Sequence, residues 1–178
     1  GYHSLGSVGN DASARVNLSV TVPMIILLRV GSSGATVDTL SITASPTSGI
    51  PGGVTSLTQG NNLATGWNGS VPALTATSAT VNAYAWTNSR GGGMLSGMFS
   101  TAFSSGGLSG ASINVASTVV GLNGIDHPGT SLGSFSSTPF PANSPRQSTW
   151  TYSLTPTALS SVTAGVHTAQ VTYTAHSL

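Results

Sequence analysis

Residues 15–30 read RVNLSVTVPMIILLRV, and how this run divides decides the fold. Val16, Leu18, Val20, Val22, Met24, Ile26, Leu28 and Val30 share one parity. The other parity opens polar with Asn17, Ser19 and Thr21, passes Pro23, and turns apolar at Ile25 and Leu27. Period-two alternation is the signature of a strand. A single strand of this length would span roughly 50 Å at about 3.3 Å per residue, several times the usual length. Proline cannot donate to a ladder and belongs at an edge, a strand start or a bulge, so Pro23 divides the run. Two divisions are open. Either both halves are consecutive strands of one domain, or only 24–30 belongs to the domain and 14–22 is an arm for a neighbouring subunit. The arm reading suits a strand laid in a groove, where main-chain bonds give affinity and alternate side chains fill pockets.

Composition narrows the setting. The chain has 178 residues, enough for one sizeable domain or a domain with an extension. Only 4% of residues are charged, against about 25% in ordinary soluble domains. Lys and Glu are absent, and Arg15, Arg29, Arg90, Arg146, Asp11, Asp38 and Asp126 give a formal net charge of +1. With so little repulsion between copies, the composition suits a protein that associates. Four scattered arginines make no basic patch, which argues against nucleic acid as a partner. Cysteine is absent, so there is no disulfide framework and no thiol chemistry. Residues 24–28 are too few to span a bilayer and Arg29 closes the run, so no membrane-spanning segment is expected. A chain beginning at Gly1 rather than Met is what leader removal would leave, and secretion is the expectation.

The rest of the chain reads as short strands. Val, Thr, Ser, Gly and aromatics recur in alternating runs at 36–44, 73–86, 111–120, 148–155 and 166–175, with weaker ones at 94–103 and 131–136. Gly, Pro and Asn clusters separate them. This punctuation predicts an all-β, Greek-key β-sandwich. Residues 45–72 and 121–147 are expected to be long surface loops.

Chemistry has little to work with. Catalysis needs acids, bases or nucleophiles within reach of one another. Asp11, Asp38 and Asp126 lie in three separate regions, the histidines are His3, His127, His167 and His176, and there is no Gly-x-Ser-x-Gly elbow. No catalytic residue, metal ligand or cofactor is assigned, and the chain is not expected to be an enzyme. Asp126-His127 reads as a polar pair in a loop, since no His-x-His or His-x₃-His partner accompanies it. Tyr84 with Trp86, and Trp150 with Tyr152, each share a strand face and read as core. Trp67 is the candidate exposed aromatic of a carbohydrate-binding sandwich.

The alternating N-terminal strand, the all-β body and the closing run AGVHTAQVTYTAHSL resemble the subunits of bacterial fimbriae that polymerise by donor-strand exchange. Gly165 stands fourteenth from the C-terminus and Tyr173 lies near it, as a glycine and an aromatic residue do in chaperone–usher pilins. The chain departs from that pattern in having no cysteine pair and in carrying Ser177 at the penultimate position. The resemblance implies an Ig-like sandwich over 23–178 completed by an N-terminal extension, 1–22, from another copy. Val16, Leu18, Val20 and Val22 would be the donor side chains, Pro23 the hinge, and Ile26, Leu28, Val171 and Tyr173 the acceptor groove. It further implies a homopolymer in an extracellular filament at a bacterial surface, with a periplasmic chaperone or usher as an assembly partner. The alternative expectation is a secreted monomeric adhesin or carbohydrate-binding sandwich.

Overall fold

The computed structural model describes residues 9–48 and 67–178. Alternation sets its first sheet. In β4 (Ala79–Thr87), Val81, Ala83, Ala85 and Thr87 point inward, while Asn82, Tyr84 and Trp86 face out. In β8 (Arg146–Leu154), Ser148, Trp150 and Tyr152 are the buried set. The two strands pair antiparallel with Val81 opposite Trp150 and Ala83 opposite Ser148. Small inward residues therefore stand beside the indole, and interdigitation of large and small is how a core fills. β6 (Ile113–Val119) flanks β8 and β1 (Ile26–Val30) flanks β4, giving the order β1-β4-β8-β6.

The second sheet centres on β5 (Gly93–Thr101), with β7 (Thr138–Phe140) on one side and β9 (Gln170–Ser177) on the other. β2 (Ala44–Ser48) and β3 (Ala73–Ala76) form a separate two-stranded ribbon. All these pairings are antiparallel. Inward residues of both sheets meet in one core built from Val81, Ala83, Ala85, Leu95, Val115, Phe140, Trp150 and Tyr152. The all-β expectation holds at this level.

Several boundaries differ from the sequence reading, each for a local reason. The expected strand 73–86 is broken at Thr77–Ser78, between β3 and β4, where Thr77 instead bonds Thr43 through its N–H and its hydroxyl. Residues 36–43 form no ladder strand, although Leu40 and Ile42 still pack on the core. Gly31 adopts φ 90° and Asp38, inside the run, accepts from both the Ser32 amide (2.6 Å) and hydroxyl (2.7 Å), so a side-chain-closed turn takes up its first residues. Residues 131–136 contribute only isolated bridges from Ser131 to Asn114 and Ser134. The C-terminal strand starts at Gln170 rather than 166. His167 is engaged upstream of it, with Nδ1 2.8 Å from the Ser105 hydroxyl and Nε2 donating to the Thr163 carbonyl at 2.8 Å.

Two corrections concern loops. The segment expected as a surface loop at 121–147 buries Ile125, His127, Pro128 and Leu132 and supplies β7. The loop expected at 45–72 is strand β2 over its first four residues, and its residues 49–66 lie outside the described residues. A helix not anticipated from sequence, α1 (Pro156–Ser161), starts where Thr155 accepts from the Ala158 amide at 3.1 Å and Pro156 opens the first turn.

Trp150 is fully buried at the centre of this packing. Trp150→Ala is expected to cost about 3–5 kcal/mol in guanidinium unfolding. Leu18→Ala, at a side chain 88% exposed, should leave the dilute monomer within about 0.5 kcal/mol of the parent.

Candidate functional site

Every open sheet has edges, and the way each edge is closed locates the site. The outer side of β6 is covered by residues 130–132, through Val115 N–H to Thr130 C=O (2.8 Å) and Leu132 N–H to Ile113 C=O (3.2 Å). β7 is short and carries Pro139, which has no N–H to offer. Short strands, proline and covering loops are the usual protection against edge pairing. In the two sheets that enclose the core, the remaining edges, β1 and β9, have none of these features. Neither has a second ladder partner among the described residues.

These two edges face one another. β1 and β9 approach within 8 Å Cα–Cα without sharing a ladder. Each residue of an antiparallel ladder points its N–H and C=O to the same side, and successive residues alternate. Gly31 N–H bonds Asn82 C=O at 2.8 Å, so the odd residues of β1 face β4 and Ile26, Leu28 and Val30 face the open side. Leu178 N–H bonds Gly92 C=O at 2.9 Å, so the even residues of β9 face β5 and Val171, Tyr173 and Ala175 face the open side. The side chains of those same six residues are half-buried against the core. The seam is thus a narrow apolar groove, its walls within 8 Å Cα–Cα, lined by main-chain donors and acceptors that have no ladder partner among the described residues. Ile26, Leu28, Val171 and Tyr173 are all in it, joined by Val30 and Ala175, which the sequence reading did not select.

The floor of the groove is aromatic. Tyr173 lies 5.0 Å from Trp150 and 6.5 Å from Phe135, ring centre to ring centre. Its ring lies over Gly97, where a Cβ would come within 2.9 Å of it, so glycine is what lets Tyr173 lie flat. Its hydroxyl bonds His127 Nε2 at 2.6 Å and the Tyr152 hydroxyl at 2.7 Å. The Gly129 carbonyl, 2.7 Å from His127 Nδ1, can only accept, so Nδ1 carries the proton. Nε2 then accepts from Tyr173, and Tyr173 accepts from Tyr152. Burial holds His127 neutral by lowering its pKa, against a smaller opposing effect of the Gly129 bond. Burial likewise raises Tyr152 to about 12 and pushes Tyr173 well above the usual tyrosine range. The tyrosines are held protonated and the histidine is biased to its neutral form, and the array ties the two sheets together.

The N-terminal segment makes the opposite arrangement. Residues 16–22 join no strand or helix among the described residues. Val16, Leu18, Val20 and Val22 are exposed by 83, 88, 86 and 70%. The root of the segment is held at β4's end: Asn88 accepts from Ile25 N–H (2.7 Å) and donates to Pro23 C=O (2.8 Å). Ile25 C=O accepts from the Thr87 hydroxyl at 2.8 Å and from Asn88 N–H at 3.2 Å.

Other residues singled out in the sequence fall elsewhere. Trp150 and Tyr152 are core, but Tyr84 and Trp86 stand on the outer face of the first sheet, where Arg29 lies 4.7 Å over the Tyr84 ring. Trp67 is 56% exposed and donates to Ser70 C=O at 3.0 Å. Asp126 is exposed while its neighbour His127 is buried, so the pair is split between solvent and core. His3 lies outside the described residues. Among the described residues no group of three or more metal-ligating side chains converges, and no helix is long and apolar enough to cross a membrane. His127 was the residue that sequence reasoning missed; its only signal was Ile125 two positions earlier, an apolar residue in a polar loop.

No family model matches the chain, and neither a curated protein nor a solved structure does.

The neutral histidine links stability to pH. Its folded pKa lies below the unfolded value of about 6.5, so the unfolded chain takes up the proton first as pH falls. The stability that it contributes is complete above about pH 6.5 and is lost progressively below it. We expect the urea midpoint to fall between about pH 7 and pH 5, and His127→Gln to flatten that slope. An unchanged slope would show that His127 does not control the acid response.

Proposed function

We propose that this chain is the structural subunit of an extracellular filament, assembled by insertion of residues 16–22 of one copy between β1 and β9 of the next. The observation that carries this reading is an exposed alternating segment, with Val16, Leu18, Val20 and Val22 70–88% exposed, on the same chain as a half-buried apolar seam whose flanking strands each have one ladder. In an Ig-type sandwich one sheet has the order A-B-E-D and the other has C, F and G. The order β1-β4-β8-β6 corresponds to the first, and β5-β9 to C and F. The position beside β9 is where G would lie.

Parity supports the same conclusion. The groove walls offer main-chain groups on both sides, and a strand offers its own alternately left and right. A single inserted strand can therefore extend both ladders once β1 and β9, now within 8 Å Cα–Cα, part to twice the ladder spacing of about 4.8 Å. Its side chains of one parity then point to the core, and Val16, Leu18, Val20 and Val22 supply that parity. Asn17, Ser19 and Thr21 remain on the outside, as a charge-poor but polar surface requires. Burying four aliphatic side chains provides roughly 6–12 kcal/mol gross at about 1.5–3 kcal/mol each, before ordering costs.

Because donor and groove sit on one chain, the contact is heterologous, and repetition gives an open fibre unless rotation closes a ring. The near-neutral surface removes long-range repulsion between successive copies. No nucleic acid is required, and the partner is a second copy of this chain.

Electron microscopy of the secreted protein tests the proposal. The parent should form uniform fibres. Deleting residues 9–22 should leave only unassembled subunits, and Leu18→Asp or Val20→Asp should block assembly because the carboxylate would be buried without a partner. Fibres formed by the deletion variant would overturn the reading.

A further inference from the structure

We infer that Asn88 is a positioning residue that keeps each arm out of its own groove and so commits it to a neighbour; this rests on the assembly reading above. The need for such a device follows from register. β1 begins at Ile26, and its open side presents the main-chain groups of Ile26, Leu28 and Val30. An arm folded back on β1 as a hairpin would set Val22 opposite Ile26, Val20 opposite Leu28 and Leu18 opposite Val30. All six side chains would then share the inward face, because hydrogen-bonded antiparallel partners project to the same side. The loop would be Pro23-Met24-Ile25, and three residues is a common hairpin length. Proline also suits the first corner of a type I turn. Once the seam has parted to admit a strand, neither parity nor length prevents a subunit from filling itself.

What opposes it is the anchoring of those three residues. The Asn88 amide takes the C=O of Pro23 and the N–H of Ile25, while Thr87 and the Asn88 N–H take the C=O of Ile25. An Asn side chain thus imitates one more peptide unit of β4 and carries the chain on past the sheet's end. Turning into a hairpin requires release of the Pro23 and Ile25 bonds. Sequence adds a second obstacle. The common three-residue loop closes on a left-handed residue, and a β-branched residue such as Ile25 adopts that conformation poorly. The intermolecular route keeps every one of these bonds.

The absence of cysteine from the chain gives a direct test. Nitroxide labels on Ser19→Cys and Thr172→Cys, both on exposed positions, report the distance between arm and groove wall within one copy. Labelled chains are diluted in unlabelled parent so that only intramolecular pairs are read. In the parent the distance should be long. Asn88→Ala should shift the ratio of arm-in to arm-out copies by about tenfold, the size expected for two lost hydrogen bonds. Adding Ile25→Gly should shift it further and reduce fibre yield in the same order. Asn88→Asp, which keeps the acceptor for Ile25 but cannot donate to Pro23, should move in the same direction as Asn88→Ala and serves where that variant folds poorly. A merely structural role for Asn88 would lower the unfolding midpoint without creating the short distance, and would overturn the inference. So would variants that assemble like the parent and show only the long distance. Parent protein that never forms fibres would sink the assembly reading alone, since distances in dilute monomers still decide what Asn88 does.

Discussion

The tie between the Tyr152 and Tyr173 hydroxyls, 2.7 Å apart, is the interaction on which the open side of this fold depends. β9 has a ladder on one side only, through β5. A strand held in that way would ordinarily fray or seek another partner. Here its central residue is fastened across the interior to β8, and beyond Tyr173 to His127 in the 121–137 segment. Trp150 packs against the same ring. Because the chain of donors runs in one direction, every polar atom in it is satisfied without solvent, which a buried polar array requires. The cross-sheet tie lets β9 stay in place while its outer main-chain groups remain available.

The same logic explains why the other edges are closed and these two are not. A proline, a very short strand and a crossing loop protect β7 and β6. Their protection makes the bare pair on the opposite side a selective feature of the fold. The proposed assembly rests on two features that the seam and residues 16–22 share, apolar parity and a lack of acidic side chains.

Sequence carried much of this, with limits that have physical causes. Alternation at 79–86 and 148–154 was legible because those strands face core on one side and solvent on the other. The division of 15–30 at Pro23 was legible because proline has no N–H. The start of β1 at Ile26 was less so, since Met24 and Ile25 continue the apolar run and only a distant side chain, Asn88, removes them from the ladder. Leu40 and Ile42 alternate like a strand and pack on the core, yet make no ladder, because packing and pairing are separate conditions. The burial of His127 was not legible: its partners are 46 and 2 residues away, and nothing local marks the longer of those contacts. Tyr84 and Trp86 were read as core because aromatics in sandwiches usually are, but β4's inward parity is filled by Val81 and alanines.

Under the proposed assembly, subunits that each carry the strand their neighbour lacks cannot make a symmetrical rod. In the proposed fibre, one terminal subunit presents an unused arm and the other an unfilled groove, whatever the length between them. The two tips would therefore differ in solubility, in stability and in what they can recognise. The tip with the open groove, flanked by exposed ladder edges, would be the vulnerable one. Capping it calls for a separate protein that contributes a strand and lacks a groove of its own, so fibre length would be set by the ratio of two gene products rather than by this chain alone.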